Sequence, residues 1–200
     1  MQDKKTIRTV VRRQRQSISQ SFQRIAAIGL ANQLQSLPEI HRAKNIGVYL
    51  ASDGEIDLWP SMEWCWNNQI ETYVPIVQNQ TKILRFAPFG RYTKLIKNRL
   101  GILEPEVKKT ETLEVGKLDI LFMPLVAFDS CGTRLGMGGG FYDSTLHASR
   151  DARGSKPLRI GVAHEFQGVE KIESDPWDIP IDRIITDCLI RDFTNPMELN

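Results

Sequence analysis

Two hundred residues, 41% apolar and 25% charged, have the composition of an ordinary globular chain and argue against collagen, coiled coil and wholesale disorder. A net charge of +2, from 26 basic and 24 acidic side chains, is too balanced for a nucleic-acid coat, and no stretch reaches the roughly 18 to 20 consecutive apolar residues of a membrane helix. Cys65, Cys131 and Cys188 stand far apart in no CxxC spacing, which disfavours a disulfide framework or a zinc motif and points to a reducing, cytoplasmic compartment.

The charge is unevenly placed. Residues 1–24 hold Lys4, Lys5, Arg8, Arg12, Arg13, Arg15 and Arg24 against Asp3 alone. Such a segment is open to three readings: an organelle transit peptide, a nucleic-acid-binding helix, or the first helix of the domain with its basic face turned to an anionic ligand. Ile7, Val11, Ile18, Phe22 and Ile25 recur at helical steps, which favours an apolar stripe packed on a core. Ser17 and Ser19 break the run and cap a second helix that continues to Leu37 and ends at Pro38.

Beyond that point the pattern changes to short apolar runs at 46–50 (IGVYL), 70–74 (IETYV), 83–87 (ILRFA), 118–123 (LDILFM), 158–163 (LRIGVA) and 184–186. Most are continuous rather than alternating, as in strands buried on both faces, so the fold class is α/β with a mainly parallel sheet between helices. Helices are expected near 57–68 and 140–149, the first with a packing cluster of Trp59, Trp64 and Trp66. Residues 88–117 read as a long irregular connection, and long loops in α/β domains tend to border the site. No linker or repeat divides the chain, so residues 1–200 are expected to form a single domain.

The most informative stretch is 124–143, PLVAFDSCGTRLGMGGGFYD, where five of the fourteen glycines fall between positions 132 and 140. It follows a strand and precedes a helix. Ligands of α/β sheets bind at the carboxyl ends of strands, and glycines there let backbone N–H groups approach a phosphate with no Cβ in the way. Arg134 adds a charged fork for phosphate oxygens, and Asp143 is placed to meet a metal ion riding on them. The dinucleotide motif fails because Phe141 stands where its last glycine is needed, and the P-loop pattern is absent from the sequence. His41, His147 and His164 are too scattered for a triad or a metal motif, Cys131 reads as incidental, and Trp177 as an anchor for the C-terminal segment.

Arg134-Leu-Gly-Met-Gly-Gly-Gly-Phe-Tyr-Asp143, preceded by Phe128-Asp129 and Gly132, resembles the signature of the 5-formyltetrahydrofolate cyclo-ligase family. The resemblance extends to Lys4 and Arg8, to Tyr49-Leu50 and Gly54-Glu55-Ile56, to Glu104-Pro105, Leu118-Asp119, and Asp178 through Thr186. It implies a three-layer α/β/α, Rossmann-like fold on the scaffold of sugar-phosphate isomerases and CoA transferases. The implied activity is the ATP- and Mg²⁺-dependent conversion of 5-formyltetrahydrofolate to 5,10-methenyltetrahydrofolate, with release of ADP and phosphate, in a monomer or small homo-oligomer without nucleic-acid or membrane partners. Lys4, Arg8 and the run Arg134, Leu135, Gly136, Met137, Gly138, Gly139, Gly140, Phe141 and Tyr142 are implied to bind ATP, with Arg134 catalytic. Asp143 and Asp178 are implied metal ligands, and Leu50 and Glu55 the folate contacts. Two positions depart from the family pattern: Phe141 stands where tyrosine is frequent, and Ser144 where arginine is common. A phosphosugar enzyme, a folate- or nucleotide-binding protein without turnover, and an RNA-binding protein remain the rival readings of the residues.

Overall fold

The computed structural model describes residues 3–78, 81–98, 103–108, 111–149 and 157–194. In chain order its elements are helices α1 (Lys4–Ser17) and α2 (Gln20–Gln35), strand β1 (Asn45–Gly47), helix α3 (Trp59–Asn67), strands β2 (Glu71–Val77), β3 (Leu84–Phe89), β4 (Leu95–Lys97), β5 (Leu103–Pro105), β6 (Ile120–Pro124), β7 (Ala127–Phe128) and β8 (Arg134–Leu135), helix α4 (Phe141–Ala148), and strands β9 (Leu158–Val162), β10 (Arg183–Ile185) and β11 (Ile190–Asp192). Side-chain caps start the first two helices: Asp3 accepts from the amides of Lys5 and Thr6, and Ser19 from that of Phe22. Among the described residues no helix is long and apolar enough to cross a membrane.

The main sheet has seven strands in the order β11-β10-β9-β6-β1-β2-β3. Strands β10, β9, β6, β1 and β2 run parallel, as the continuous apolar runs require, while β3 and β11 close the two edges antiparallel. From β1 the chain moves to β2 on one side, and from β6 to β9 and β10 on the other. The order therefore reverses between β1 and β6, and the crevice at their carboxyl ends is where a sheet of this kind receives a ligand.

Alternate residues of β6 feed two cores. Ile120 and Phe122 join Leu30 and Leu34 of α2 and Met62 of α3 on one face, whereas Leu121 and Met123 join Leu146 of α4 on the other. Each such buried Leu or Phe contributes roughly 1.5 to 3 kcal/mol. A third cluster matters most for function: Ile7 and Val11 of α1 pack on Val126, Ala127 and Leu135 of the β7–β8 hairpin. Of the three readings of the basic N-terminal segment, the structure realises the helix packed on the domain.

Several expectations need correction. The apolar stripe does not continue into the second helix: α2 buries Ala26, Ala27, Leu30, Ala31 and Leu34, while Phe22 and Ile25 are exposed. The break at Ile18 and Ser19 resets the helical phase, so a period counted across it has no physical meaning. The connection 88–117 is not structureless, because β4 and β5 pair within it and a 3₁₀ turn occupies Val115–Lys117; its residues 99–102 and 109–110 lie outside the described ones. The run at 83–87 is an antiparallel edge strand, which sequence hydrophobicity alone does not distinguish from a parallel one.

Candidate functional site

The glycine stretch divides into two parts with different work. Residues 127–135 form the β7–β8 hairpin, with Asp129 buried in its turn and accepting from the amides of Cys131, Thr133 and Ile172. Gly132 belongs to that turn and faces the ring of Phe193, so it is not part of the phosphate cradle that the sequence suggested. Cys131 is exposed on the same turn. The cradle proper is Gly136 to Gly140, which runs from β8 into α4 without a single Cβ except that of Met137. Gly138 and Gly140 adopt φ of 95° and 69°, left-handed conformations that glycine enters without strain. Gly140 brings no side chain to cap α4. The first amides of a helix lack intrahelical acceptors and carry the positive end of its dipole, which makes this turn receptive to an anion.

A cavity of about 540 Å³ opens over that turn. Its lining includes every residue from Arg134 to Ser144, with Lys4 and Arg8 from α1, Glu55 from the loop after β1, Lys82, Pro124 and Leu125, and Asp175, Trp177 and Asp178 from the C-terminal segment. All the expected phosphate and metal residues thus meet in one place, in the crevice at which the strand order reverses. Leu50 does not line this cavity; it is partly buried against the core between the sheet, α2 and α3.

Charge is distributed in an ordered way around the opening. Arg8 donates from Nε to the Gly136 carbonyl at 2.8 Å, so α1 is pinned to the cradle itself. Lys4 Nζ lies 2.5 Å from Asp175 and 3.6 Å from Asp178. Burial opposes its charge, but the hydrogen bond to Asp175 and the field of Asp178 outweigh it and hold its pKa above the usual lysine value. Arg134 Nη2 donates to Asp143 Oδ1 at 2.5 Å, and the same oxygen accepts from the Ile179 amide at 3.1 Å. That amide brings the Asp178 segment beside Asp143 although 36 residues separate Ile179 from it. Arg134 Nε is buried with no hydrogen-bond partner among the described residues. An unmet buried donor costs about 1 to 3 kcal/mol.

Glu55, also in the lining of this cavity, sits in a tight turn. Its amide donates to the Ser52 carbonyl at 2.9 Å, and its Oε2 accepts from the Ser52 amide at 3.0 Å. Burial raises the Glu55 pKa above the ordinary glutamate value. Burial likewise drives the Tyr142 hydroxyl far up, reinforced by the nearby Glu55 carboxylate.

Sequence reasoning missed Lys82, Asp175 and the cavity role of Pro124 and Leu125. Nothing in the local pattern marks Lys82, an isolated lysine in a turn. Trp177 is not buried as an anchor: the residue is 62% exposed in the cavity lining, and its carbonyl meets His147 Nε2 at 3.2 Å. The tryptophans of α3 do pack as expected, with Trp59 and Trp66 edge to face at 5.5 Å.

Comparison with known proteins gives a consistent answer. The model of the 5-formyltetrahydrofolate cyclo-ligase family matches residues 1–187. The 5-formyltetrahydrofolate cyclo-ligase of Escherichia coli is 35% identical over 178 residues, covering 88% of this chain and 96% of its own, and that of Haemophilus influenzae is 36% identical over 183 residues, covering 90% and 95%. The NMR structure of Aquifex aeolicus 5,10-methenyltetrahydrofolate synthetase superposes with a TM-score of 0.81 at 29% identity over 98% of this chain and 96% of the other. The Mycoplasma pneumoniae 5,10-methenyltetrahydrofolate synthetase gives 0.73 at 26% identity, over 93% and 99%.

Proposed function

The chain belongs to the 5-formyltetrahydrofolate cyclo-ligase family, an ATP-dependent ligase family, and from that premise we propose how its cavity carries out the conversion of 5-formyltetrahydrofolate to 5,10-methenyltetrahydrofolate. A formamide carbonyl is a poor electrophile and its oxygen a poor leaving group. In the proposed route the formyl oxygen attacks the γ-phosphorus and the bond to ADP breaks. The N10 amine then adds to the activated carbon and loses its proton, and phosphate departs with the former formyl oxygen. Such a sequence asks the protein for little acid or base. It asks for in-line placement and for neutralisation of charge on the phosphoryl group.

The observation that carries the proposal is the convergence, in the lining of one cavity, of the Gly136–Gly140 backbone, the N-terminus of α4, Lys4, Arg8, Arg134 and Glu55. The cradle and basic groups would hold the triphosphate, with Arg134, which lines the cavity beside Asp143, nearest the transferred phosphoryl. Glu55, an acceptor in a dry wall, would meet the N–H groups of the pterin. Leu50 stands outside that wall and would contribute by packing behind it.

The residues also fit a magnesium ion. Asp143 and Asp178 offer hard carboxylate oxygens, and Mg²⁺ is ordinarily held by one or two such groups together with phosphate oxygens and water. Among the described residues no group of three or more His, Cys, Asp or Glu forms a metal cage of its own, so phosphates would complete the shell. When bound, the cation would neutralise charge on the β- and γ-phosphates. A single domain in a cytoplasmic, reducing compartment suits the free, unpaired Cys65, Cys131 and Cys188.

The direct test is the near-ultraviolet absorbance of the methenyl product in a mixture of protein, ATP, Mg²⁺ and 5-formyltetrahydrofolate. A rise that requires all four components is expected. A flat trace with folded protein overturns the proposal.

A further inference from the structure

Within the turn that carries Glu55, one carboxylate, that of Asp53, gathers three donors from α1. Asp53 accepts from Arg12 Nε at 2.7 Å, from Arg15 Nη2 at 2.8 Å, and from Gln16 Nε2, all on the last turns of α1. Three donors converging on Asp53 pull its pKa down to about 2: the Arg12 hydrogen bond contributes most, burial opposes it, and Gln16 and Arg15 add to it. Arg15 is fully buried, with its other nitrogen 3.3 Å from the Leu125 carbonyl and 3.9 Å from Glu55 Oε1. A guanidinium in that position needs a counter-charge, and Asp53 supplies the closest one.

The backbone is matched to this arrangement. Asp53 and Gly54, the two central residues of the turn, have φ of 50° and 73°, as a type I′ turn demands. A β-carbon on Gly54 would lie 2.6 Å from the Arg15 carbonyl oxygen, so helix and turn are in direct backbone contact. The Gly54 carbonyl accepts from Gln23 Nε2 of α2 at 3.1 Å, and His164 Nε2 lies 3.2 Å from it. Meanwhile the opposite end of α1 is tied to the cradle by Arg8 and to the C-terminal segment by Lys4.

We propose that Asp53 is a positioning residue for formylfolate binding: by gathering Arg12, Arg15 and Gln16 it fixes the Ser52–Glu55 turn against α1 and so sets Glu55 in the cavity lining. It touches neither substrate. The proposal deepens the function assigned above and rests on the reading of Glu55 as a folate contact.

Steady-state kinetics of the full chain with Mg-ATP and 5-formyltetrahydrofolate tests it. Asp53→Asn is expected to raise the formylfolate KM about tenfold while leaving the ATP KM within about twofold, because Lys4 and Arg8 keep their own partners. Glu55→Gln, measured beside it, separates the two claims. An unchanged formylfolate KM in Glu55→Gln overturns the folate reading of Glu55 and the proposal with it. A raised KM there, beside an unchanged KM in Asp53→Asn, overturns the positioning role alone. The double variant should lose no more than the worse single one, since both act through one carboxylate. Additive losses, or an equal rise of both KM values in Asp53→Asn, indicate general loosening and reject the proposal. Should Asp53→Asn fail to fold, the exposed Gln16→Ala removes one of the three donors and is expected to raise the formylfolate KM about threefold with no change for ATP; an unchanged formylfolate KM in that variant is equally decisive against it.

Discussion

The two walls of the cavity are built by opposite means. The wall proposed to hold phosphate comes mainly from one stretch, in which Arg134 to Asp143 supplies the glycine turn, the helix N-terminus and the charged pair, with Lys4 and Arg8 added from α1. The Glu55 wall is non-local and made of side chains, its turn held by bonds that span 38 and 41 residues to Asp53, with Arg15 reaching Leu125 across 110. A backbone cradle depends on φ and on the absence of Cβ atoms, whereas a side-chain wall depends on pairing charges that would otherwise be buried alone. The two should therefore fail differently when altered.

The largest effect is expected at Arg134. Arg134→Ala removes a guanidinium from the cavity lining and should lower kcat about 100- to 1,000-fold, in line with the loss of one preorganised donor at a developing charge. It also leaves Asp143 without its counter-charge, so some loss of thermal stability accompanies it. Adding Asp143→Ala should restore part of the melting temperature but none of the kcat. A kcat near that of the parent would mean that the phosphate wall has been misplaced and that the contrast between the walls does not hold.

Gly138→Ala sharpens the same contrast at lower cost. The residue has φ of 95°, and its new carbon would stand 3.6 Å from Arg8 Nη2. Leaving the left-handed conformation or straining within it costs about 1 to 2 kcal/mol, which as weakened nucleotide binding is about tenfold in the ATP KM. The formylfolate KM should stay close to the parent value. Gly136→Ala is the natural control: nothing lies within 4 Å of its would-be Cβ, so the melting temperature should not change and any rise in ATP KM reports the nucleotide itself.

This division also explains what could be read without coordinates. The glycine loop, Arg134 and Asp143 are legible because their chemistry is concentrated in ten residues between a strand and a helix. The parallel sheet is legible because β1, β6 and β9 fall on or at the edge of the apolar runs at 46–50, 118–123 and 158–163. Asp175, Lys82 and the work of Asp53 are not, since each is an ordinary surface residue type given its role by a chain segment far away in sequence. Lys4 and Arg8 are intermediate: their spacing declares a helix face, but only the packing of Ile7 and Val11 on the β7–β8 hairpin turns that face toward the cavity. The exposed Phe22 and Ile25 illustrate the reverse error, in which a regular period crosses a break between two helices.

The smallest expected effect is a pH dependence that distinguishes two neighbouring carboxylates. Asp53 has a pKa lowered to about 2, chiefly by the Arg12 hydrogen bond, so its stabilising pairs are intact above the ordinary aspartate value and are lost as pH falls from about 4 towards 2. Glu55 has the opposite sign. Burial raises its pKa, with the Ser52 hydrogen bonds and the Arg15 charge pulling it back down and Asp53 adding to the rise, so protonation begins at a higher pH than in the unfolded chain. The folded state consequently gains relative stability from Glu55 on acidification, while a carboxylate needed as an acceptor is being lost. The kcat/KM for 5-formyltetrahydrofolate should therefore show an acid limb above the ordinary glutamate range of about 4.3. Glu55→Gln should abolish that limb, and Asp53→Asn should move it downward, because the variant removes a negative charge that adds to the rise and leaves Glu55 as the carboxylate facing the Arg15 guanidinium. A limb that persists unchanged in Glu55→Gln belongs to another group and separates Glu55 from the formylfolate wall.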